Sequence, residues 1–460
     1  MKSKFYFLIA LLQCIAFVAK SQQILQISGT VLNAKDSTPI VYAHVGIPTQ
    51  GIGVITNDVG AFSLNYSNLH QSDTLKISYL GYKTYSIGLY NLSTSLPLII
   101  YLKNDILELD VTTISPRSDS GRFILREALK RLKQNYPTKM YQMNAFYREK
   151  IQNRDDYRFT RLIEGMLDIR DMGIRSDPSH LRIRLNEFRK SNNMAKQTLG
   201  QIAWRKFFGE QNNLYAILSQ DPVRIHYHNE RTNHHSGNES WFSNSRRYWL
   251  GEILVSSQSS IYIANMTSYN GEEVYHLKFK CSAFYGSIYV NCHDFGLHHV
   301  EFYHGFDRSF INESELSSEA KSKLNEFEEL TKSMQFEGKY FGKLTIDYQK
   351  VDEKKYYLSY IEWLNIGDFR KSNIREGEST GSYNSCILMV NSIQTNRKEI
   401  EKIKLRETVN KFENTNNLKM KYNEGFWKNY NVLLATPLEN KAVKDLTFEE
   451  SFEQQFKKNQ

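Results

Sequence analysis

Short β-rich runs alternate with turn signals over the first hundred residues, and this pattern most restricts what the chain can fold into. Runs such as Ile27–Leu32 and Val41–Ile47 place alternate side chains on one face. Asn57–Gly60 predicts a turn, because an Asp side chain can bond nearby amides and glycine tolerates positive φ. Short strands at this spacing predict an antiparallel β-sandwich between residues 24 and 102. The chain's 29 Tyr and 26 Phe favour strands as well.

Several motifs in this segment carry a family resemblance. They are Gly29-Thr30-Val31, Pro39 through Ala43 to Val45, Thr56 with Gly60 and Phe62, and Ile77-Ser78-Tyr79-Leu80-Gly81-Tyr82. Residues 24–103 resemble the carboxypeptidase-like regulatory domain that is common in Bacteroidetes envelope proteins. The resemblance implies a seven-stranded transthyretin-like β-sandwich without catalytic activity, of the type that precedes the plug and barrel of many TonB-dependent outer-membrane receptors.

The N-terminus predicts export. Lys2 and Lys4 precede an apolar run over residues 5–18 that ends in Ala19-Lys20-Ser21. A positive start, a short apolar core and small residues before the cleavage point are typical of a signal peptide, here residues 1–21. The run is too short for a comfortable membrane span. Residues 11–14 loosely resemble a lipobox ending in Cys14, but Gln13 is a poor residue at that point, so an ordinary signal peptide is favoured.

The charge pattern restricts the partners. Removal of residues 1–21 lowers the net charge of +9 to about +6, and the remaining positive charge is spread along the chain. Nucleic-acid binding needs clustered positive charge, so a nucleic-acid partner is not expected. The sequence after residue 21 has no uninterrupted apolar stretch of membrane-spanning length. We therefore expect an exported protein of the periplasm, associated with the outer membrane, whose partner is an envelope protein or polymer; peripheral contact with a membrane remains open.

The rest of the chain predicts a larger domain of the α+β type, so that the whole is mainly β with some α. Residues 104–120 are expected to be a linker and residues 121–460 an antiparallel, β-rich domain. A helix is predicted over residues 121–135 with Phe123 on its apolar face, another near residues 313–334 and a terminal one over 438–458. The succession of strands loosely resembles the half-barrel of periplasmic lipoprotein carriers.

Two cysteines flank a predicted hairpin. If Gly286-Ser287 forms a two-residue turn, Cys281 and Cys292 lie directly opposite each other, and a disulfide is geometrically feasible. A slip of one residue would remove it. Both a disulfide and two free thiols therefore stay open.

Three motifs suggest catalysis, and each lacks a required partner. His298 and Glu301 have the His-x-x-Glu spacing of zinc carboxypeptidases, but a third ligand is needed and no histidine follows His304. Residues 377–381 match the nucleophile-elbow spelling without the buried strand before it or a later histidine. Residues 318–321 have the Ser-x-x-Lys spacing alone. We therefore predict no catalytic residue, no metal ligand, no cofactor and no enzymatic activity.

Nine of the twelve histidines lie between residues 226 and 304. His226 and His228 are expected to share one strand face, and His234-His235 to lie in a polar loop. The spacings fit neither a helical pair nor a zinc finger, so surface and half-buried histidines are the favoured interpretation. Three carboxylates, Glu149, Glu164 and Asp168, fall in strand-like runs, and their partners cannot be derived from the sequence.

These eliminations favour a non-catalytic binding or assembly role at the periplasmic side of the outer membrane. Two alternatives stay open: a half-barrel carrier of an apolar ligand or lipoprotein, and a hydrolase of envelope polymers with an unrecognised site. An open apolar concavity would favour the carrier. Convergent histidines or buried carboxylates would favour the hydrolase, and a surface patch of aromatic residues would favour binding.

Overall fold

The computed structural model describes most of the chain from residue 24 onward. The described residues are 24–67, 70–92, 97–107, 120–153, 158–176, 180–191, 214–232, 250–257, 259–281, 284–306, 336–351, 354–371, 381–411, 413–434, 446, 451, 454–455 and 458. The predicted signal peptide, the predicted helix near 313–334, most of the predicted terminal helix and the Ser-x-x-Lys motif lie outside them, as does most of the elbow motif.

The N-terminal part is a sandwich of two small sheets. Its described residues form seven strands: β1 (Ile24–Asn33), β2 (His44–Ile47), β3 (Ile52–Ile55), β4 (Ala61–Ser67), β5 (Thr74–Ser78), β6 (Tyr85–Gly88) and β7 (Leu98–Leu102). One sheet has the order β4-β1-β7 and the other β6-β5-β2-β3. Alternate side chains such as Val31, Ala43 and Phe62 fill the space between them. The predicted seven-stranded sandwich is thereby confirmed.

The second part is a large curled sheet. Its strands are β8 (Ile106–Leu107), β9 (Tyr141–Asn153), β10 (Phe159–Asp171), β11 (Arg182–Lys190), β12 (Ser260–Tyr269), β13 (Glu272–Lys280), β14 (Tyr285–Asn291), β15 (Leu297–Phe306), β16 (Phe336–Val351), β17 (Lys355–Lys371) and β18 (Gly381–Gln394). They pair antiparallel in the order β8-β12-β13-β14-β15-β16-β17-β18-β9-β10-β11. The β-rich α+β class predicted for the C-terminal part is confirmed.

Helices cover one face of this sheet. They are α1 (Ser120–Lys130), α2 (Leu132–Asn135), α3 (Leu214–Leu218), α4 (Pro222–Thr232) and α5 (Glu252–Val255). A sixth helix, α6 (Glu424–Asn429), packs through Trp427 with the core on the other face. Short 3-10 turns lie at Pro48–Gln50, Leu89–Asn91 and Leu405–Glu407. Side chains of α1 and α3 pack with Leu277, Val300 and Ile346 of the sheet in one apolar core. That core fixes which strand residues must point to the opposite face.

The sandwich packs on the opposite face of the curled sheet. The sandwich core continues into Phe146, Tyr360 and Met389, each at most 1% exposed. The sandwich sheet that contains β3 is also joined to the curled sheet, because Ser392 of β18 pairs with Ile52 of β3. The described end of the predicted linker is itself a strand, since β8 pairs with β12. The sandwich therefore forms a continuous packing unit with the sheet.

Three local predictions need correction. Gly286 is not in a turn but lies inside β14, because it pairs with Phe279 of β13. Cys281 directly follows β13, whereas the Cys292 amide bonds Glu273 at the other end of the strand pair, so the two sulfurs are roughly 25 Å apart along the strand and form no disulfide. Phe123 of α1 is 54% exposed, and Ile124 and Leu125 are buried instead.

Residues 222–232 form the helix α4 and not the strand expected for His226 and His228. Pro222 stands in the first turn, where its fixed φ favours a helix start. The side chain of Asp221 accepts a hydrogen bond of 3.0 Å from the Val223 amide, which caps the helix. These two local signals outweigh the alternating pattern of the histidines.

Candidate functional site

A row of polar side chains crosses the sheet on the face that the sandwich covers. His276, Tyr289, His299, Asp347 and Tyr360 are directly opposite one another on five successive strands, β13 to β17. Their chain neighbours, such as Leu277 and Ile288, point into the helix-covered core, so strand alternation directs the row to the other face. The sequence of these strands thus builds a sheet with one apolar and one polar face.

The sandwich forms a roof over this row and leaves a cavity of about 360 Å³. The roof comes from Tyr42, which precedes β2, from His44 at the start of β2 and from residues 79–81 after β5. The floor comes from strands β12 to β17. Its lining side chains are Asn265, Thr267, Tyr269, His276, Tyr289, His299, Glu301, Lys343, Thr345, Asp347 and Tyr360. The cavity therefore exists only because the two parts of the chain pack against each other.

Four charged side chains in the floor are linked by contacts: His299, Asp347, Glu301 and Lys343. His299 is hydrogen-bonded to Asp347 through Nδ1, and its Nε2 lies 3.7 Å from Oε1 of Glu301. Lys343 Nζ lies 3.0 Å from the same Glu301 oxygen. From the roof, His44 Nε2 lies 3.5 Å from Oδ2 of Asp347. The network thus joins strands β15 and β16 to the sandwich.

The contacts set the protonation states in this network. Burial opposes a charge on His299, yet Asp347 and then Glu301 raise the pKa of His299 to about 9. Burial likewise opposes ionisation of Glu301, but His299 and Lys343 lower its pKa to about 2. The pKa of Asp347 is also lowered against the effect of burial, chiefly by His299. Near neutral pH two cations therefore face two carboxylates, and the charges balance.

The rest of the floor is aromatic and neutral. The rings of His276 and Tyr289 stack with centroids 4.3 Å apart and an angle of 8° between planes. Burial lowers the pKa of His276 to about 4, so this imidazole is uncharged near neutral pH. Its two ring nitrogens lie 3.2 Å from Asn265 Oδ1 and 3.2 Å from Ser287 Oγ. This side of the cavity offers flat ring faces beside hydrogen-bonding groups.

Two further features mark the cavity as unusual. Among the described residues, the buried hydroxyls of Tyr269 and Thr345 have no hydrogen-bond partner, which costs free energy unless a ligand or water supplies one. Tyr42 in the roof has a φ of +61°, a conformation that is strained for a residue with a side chain. Its hydroxyl donates to Glu362 Oε1 at 3.3 Å. Unsatisfied groups and backbone strain concentrate at functional sites.

The motif residues considered for catalysis are not brought together. His298 lies 3.2 Å from Glu272, while Glu301 contacts His299 and Lys343. His228 contacts the Ser176 carbonyl at 3.0 Å, on the helix-covered side of the molecule. The described residues include no group of three or more His, Cys, Asp or Glu that could hold a metal ion.

The three carboxylates singled out in strand-like runs all pair with arginines. Glu164 accepts from Arg148 at 2.7 Å and from Arg189. Glu149 lies 3.1 Å from Arg161, and Asp168 pairs with Arg184. These buried pairs lie on β9 to β11, away from the cavity, and they satisfy each other's charge.

Apart from Glu301, the cavity residues on the curled sheet could not be singled out from any motif, although one signal in the sequence pointed to them. His276, Tyr289 and His299 are polar or aromatic residues at alternate positions of strands whose other positions are apolar. That alternation identifies a polar sheet face, and the unequal distribution of histidines identified the region. Nothing local indicates that Tyr42 and His44 lie above it.

Comparison with known proteins agrees with the N-terminal assignment. Residues 27–114 match the family model of the CarboxypepD_reg-like domain, which confirms the resemblance seen in the motifs. The structure places these motif residues in the sandwich: Gly29, Val31, Pro39, Ala43, Gly60, Phe62, Gly81 and Tyr82. The curated proteins include no match to this chain.

The similarity between this chain and solved structures is remote. A domain from Vibrio parahaemolyticus, provisionally described as an outer membrane lipoprotein-sorting protein, is 9% identical with a TM-score of 0.23 and covers 62% of this chain and 96% of its own. A protein of unknown function from Bacteroides fragilis, provisionally described as membrane-associated, is 9% identical with a TM-score of 0.15 and covers 81% and 97%. Within the described residues, no helix is long and apolar enough to cross a bilayer.

Proposed function

We propose that the chain is a non-catalytic binding protein of the cell envelope and that the cavity between sandwich and sheet is its ligand site. The observation that carries this proposal is the polar cavity of about 360 Å³, lined from both parts of the chain. Its volume falls within the range of roughly 300–1,000 Å³ that is usual for small-molecule sites. The predicted signal peptide supports the envelope location.

The convergent histidines are what the hydrolase alternative predicts, so the two interpretations must be weighed on chemistry. A general base needs an unprotonated nitrogen aimed at substrate. His299 has one ring nitrogen bonded to Asp347 and the other near Glu301, and its raised pKa of about 9 keeps it protonated. This network positions groups and balances charge, and it favours binding over acid–base chemistry.

The carrier alternative calls for an open apolar concavity. The cavity instead presents hydroxyl, imidazole, amide and carboxylate groups together with aromatic rings. Burial of these polar groups against an acyl chain would cost free energy, because each would lose hydrogen bonds to water. A polar ligand is therefore the better fit to this site.

The test uses a variant that keeps the fold and alters only the cavity. Tyr269→Phe combined with Thr345→Val removes the two unpartnered buried hydroxyls at almost constant volume, so stability should hold or rise. Thr160→Val on β10, remote from the cavity, serves as the matched control. Each protein is dialysed against the low-molecular-weight fraction of lysozyme-digested cell envelopes, and retained compounds are identified by mass spectrometry.

We expect a compound that the parent and the Thr160→Val control retain and that the double variant retains less. Equal retention by all three proteins, or no retention by the parent, would contradict the cavity as the ligand site.

A further inference from the structure

The polar face of the sheet does not end at the edge of the cavity. Two residues beyond Glu301 along β15, Tyr303 lies directly opposite Tyr285 of β14. Their rings stack with centroids 5.3 Å apart and 14° between planes, and Tyr285 is 47% exposed. Tyr262 on β12 is 55% exposed and lies on the same face, opposite Lys278. These three residues are called the tyrosine platform below.

The tyrosine platform is continuous with the cavity. The Tyr303 hydroxyl donates to Oε2 of Glu301 at 3.2 Å, and Lys343 Nζ lies 5.5 Å from the Tyr303 ring centroid. Glu301 and Lys343 both line the cavity. A molecule that leaves the cavity along this face would pass directly over the exposed rings.

The charges in the cavity restrict what can enter it. The two cations His299 and Lys343 already contact the two carboxylates Asp347 and Glu301. An anionic or cationic ligand would compete with these contacts and leave a buried charge without compensation, which is costly. An uncharged ligand with hydroxyl or amide groups avoids this cost, because it can bond the remaining donors and acceptors.

Aromatic faces beside hydrogen-bonding groups match a sugar ring. Such a ring has hydroxyls around its edge and C–H groups on its faces, so it can stack on tyrosine while its edge is hydrogen-bonded. The cavity supplies both kinds of contact, and the platform supplies exposed rings alone. The cavity therefore suits the terminal sugar of a chain, and the tyrosine platform suits the sugars that follow it.

We infer that the ligand is the uncharged end of a glycan chain, with its terminal sugar in the cavity and the following sugars on the tyrosine platform. This inference rests on the proposed function and adds the ligand class and the direction in which the ligand extends. It requires affinity to grow with chain length, and it requires that growth to depend on the platform.

The experiment is calorimetric titration of the whole exported chain with neutral oligosaccharides of increasing length. Two neutral series are used, the chitooligosaccharides and the maltooligosaccharides, each from monosaccharide to tetrasaccharide. The deacetylated glucosamine oligomers are the cationic counterpart of the first series with the same backbone. The platform variant is Tyr262→Ala with Tyr285→Ala, and Tyr101→Ala, a 51% exposed tyrosine on β7, is the matched control.

For the parent and the Tyr101→Ala control, we expect affinity in at least one neutral series to rise about tenfold from monosaccharide to tetrasaccharide. The platform variant should lose that rise and keep monosaccharide binding. Cationic oligomers should bind roughly tenfold more weakly than their neutral counterparts.

Two results would overturn the inference and leave the proposed function intact. One is binding with no length dependence, or with a length dependence that survives in the platform variant. The other is the absence of binding in both neutral series while the envelope digest still yields a compound that depends on Tyr269 and Thr345. Failure of the proposed function is recognised separately, as equal retention of digest compounds by the parent and the Tyr269→Phe, Thr345→Val variant.

Discussion

His299 is held between carboxylates of two strands, and its side chain is only 14% exposed. On folding, the imidazole loses contact with water and gains contacts with Asp347 and Glu301. These contacts raise its pKa from 6.5 to about 9. A raised folded-state pKa means that the protonated form is the one the fold stabilises. His299 thus links the packing of the sheet to pH.

The pH dependence of stability follows from this shift. The contribution of His299 is fully present below pH 6.5 and is lost as the pH rises through about 9. It amounts to about 3 kcal/mol. We expect His299→Gln, made with Asp347→Asn so that no buried charge is left alone, to flatten the decline in unfolding free energy over this interval. Urea unfolding at a series of pH values measures it.

His276 provides a control of opposite sign. Burial lowers its folded-state pKa to about 4, so its contribution rises with pH between about 4 and 6.5 and is constant above that. His276→Gln should change the slope below pH 6.5 and leave the slope above it intact. A His299 variant whose stability still declines as steeply as the parent's above pH 6.5 would show that another group titrates there.

At the scale of the elements, most strands could be predicted because the alternation that marks them is local. The alternating runs Ile27–Leu32 and Val41–Ile47, for example, fall within β1 and overlap β2. Turn positions were less predictable. Gly286 pairs with Phe279 and is a strand residue, and no Asn-Gly type signal in the sequence indicates where the two strands are connected. Because Gly286 is not in the turn, Cys281 and Cys292 do not lie opposite each other.

The turn before β4 gives a prediction on the sandwich. Gly60 has a φ of +74°, and a Cβ there would lie 2.5 Å from the Val31 carbonyl oxygen. Gly60→Ala should lower the unfolding free energy by about 2–3 kcal/mol, from strain and from the clash. Gly51→Ala is the control, since Gly51 has a φ of +62° but open space around it, and should cost about 1 kcal/mol. Equal losses of unfolding free energy in the two variants, measured by urea unfolding, would show that neighbouring atoms move to relieve the clash.

At the scale of the whole molecule, the site depends on contacts that no local pattern reveals. Tyr42, which lines the cavity, and Glu362 are 320 positions apart, yet they share a hydrogen bond. Sequence reasoning identified the sandwich through its motifs and the curled sheet through its strands. It could not place one on the other, because that packing depends on side chains that meet only after both parts have folded.

The shared core predicts that the sheet needs the sandwich. Deletion of residues 22–103 would expose Phe146, Met166, Tyr360 and Met389, each at most 1% exposed in the intact protein. We expect the remaining chain to aggregate or to lose cooperative unfolding, because this apolar area would face water. Sedimentation and near-UV circular dichroism, with residues 22–460 as the control, test this. A monomeric fragment with a cooperative transition would contradict it.

Amide hydrogen exchange can show whether one ligand contacts the sandwich and the sheet together. The parent is compared with and without the compound retained from the envelope digest. We expect added protection in residues 42–47 and 79–81 of the sandwich and, at the same time, in strands β14 and β15. Protection confined to one part, or absent from both, would contradict it.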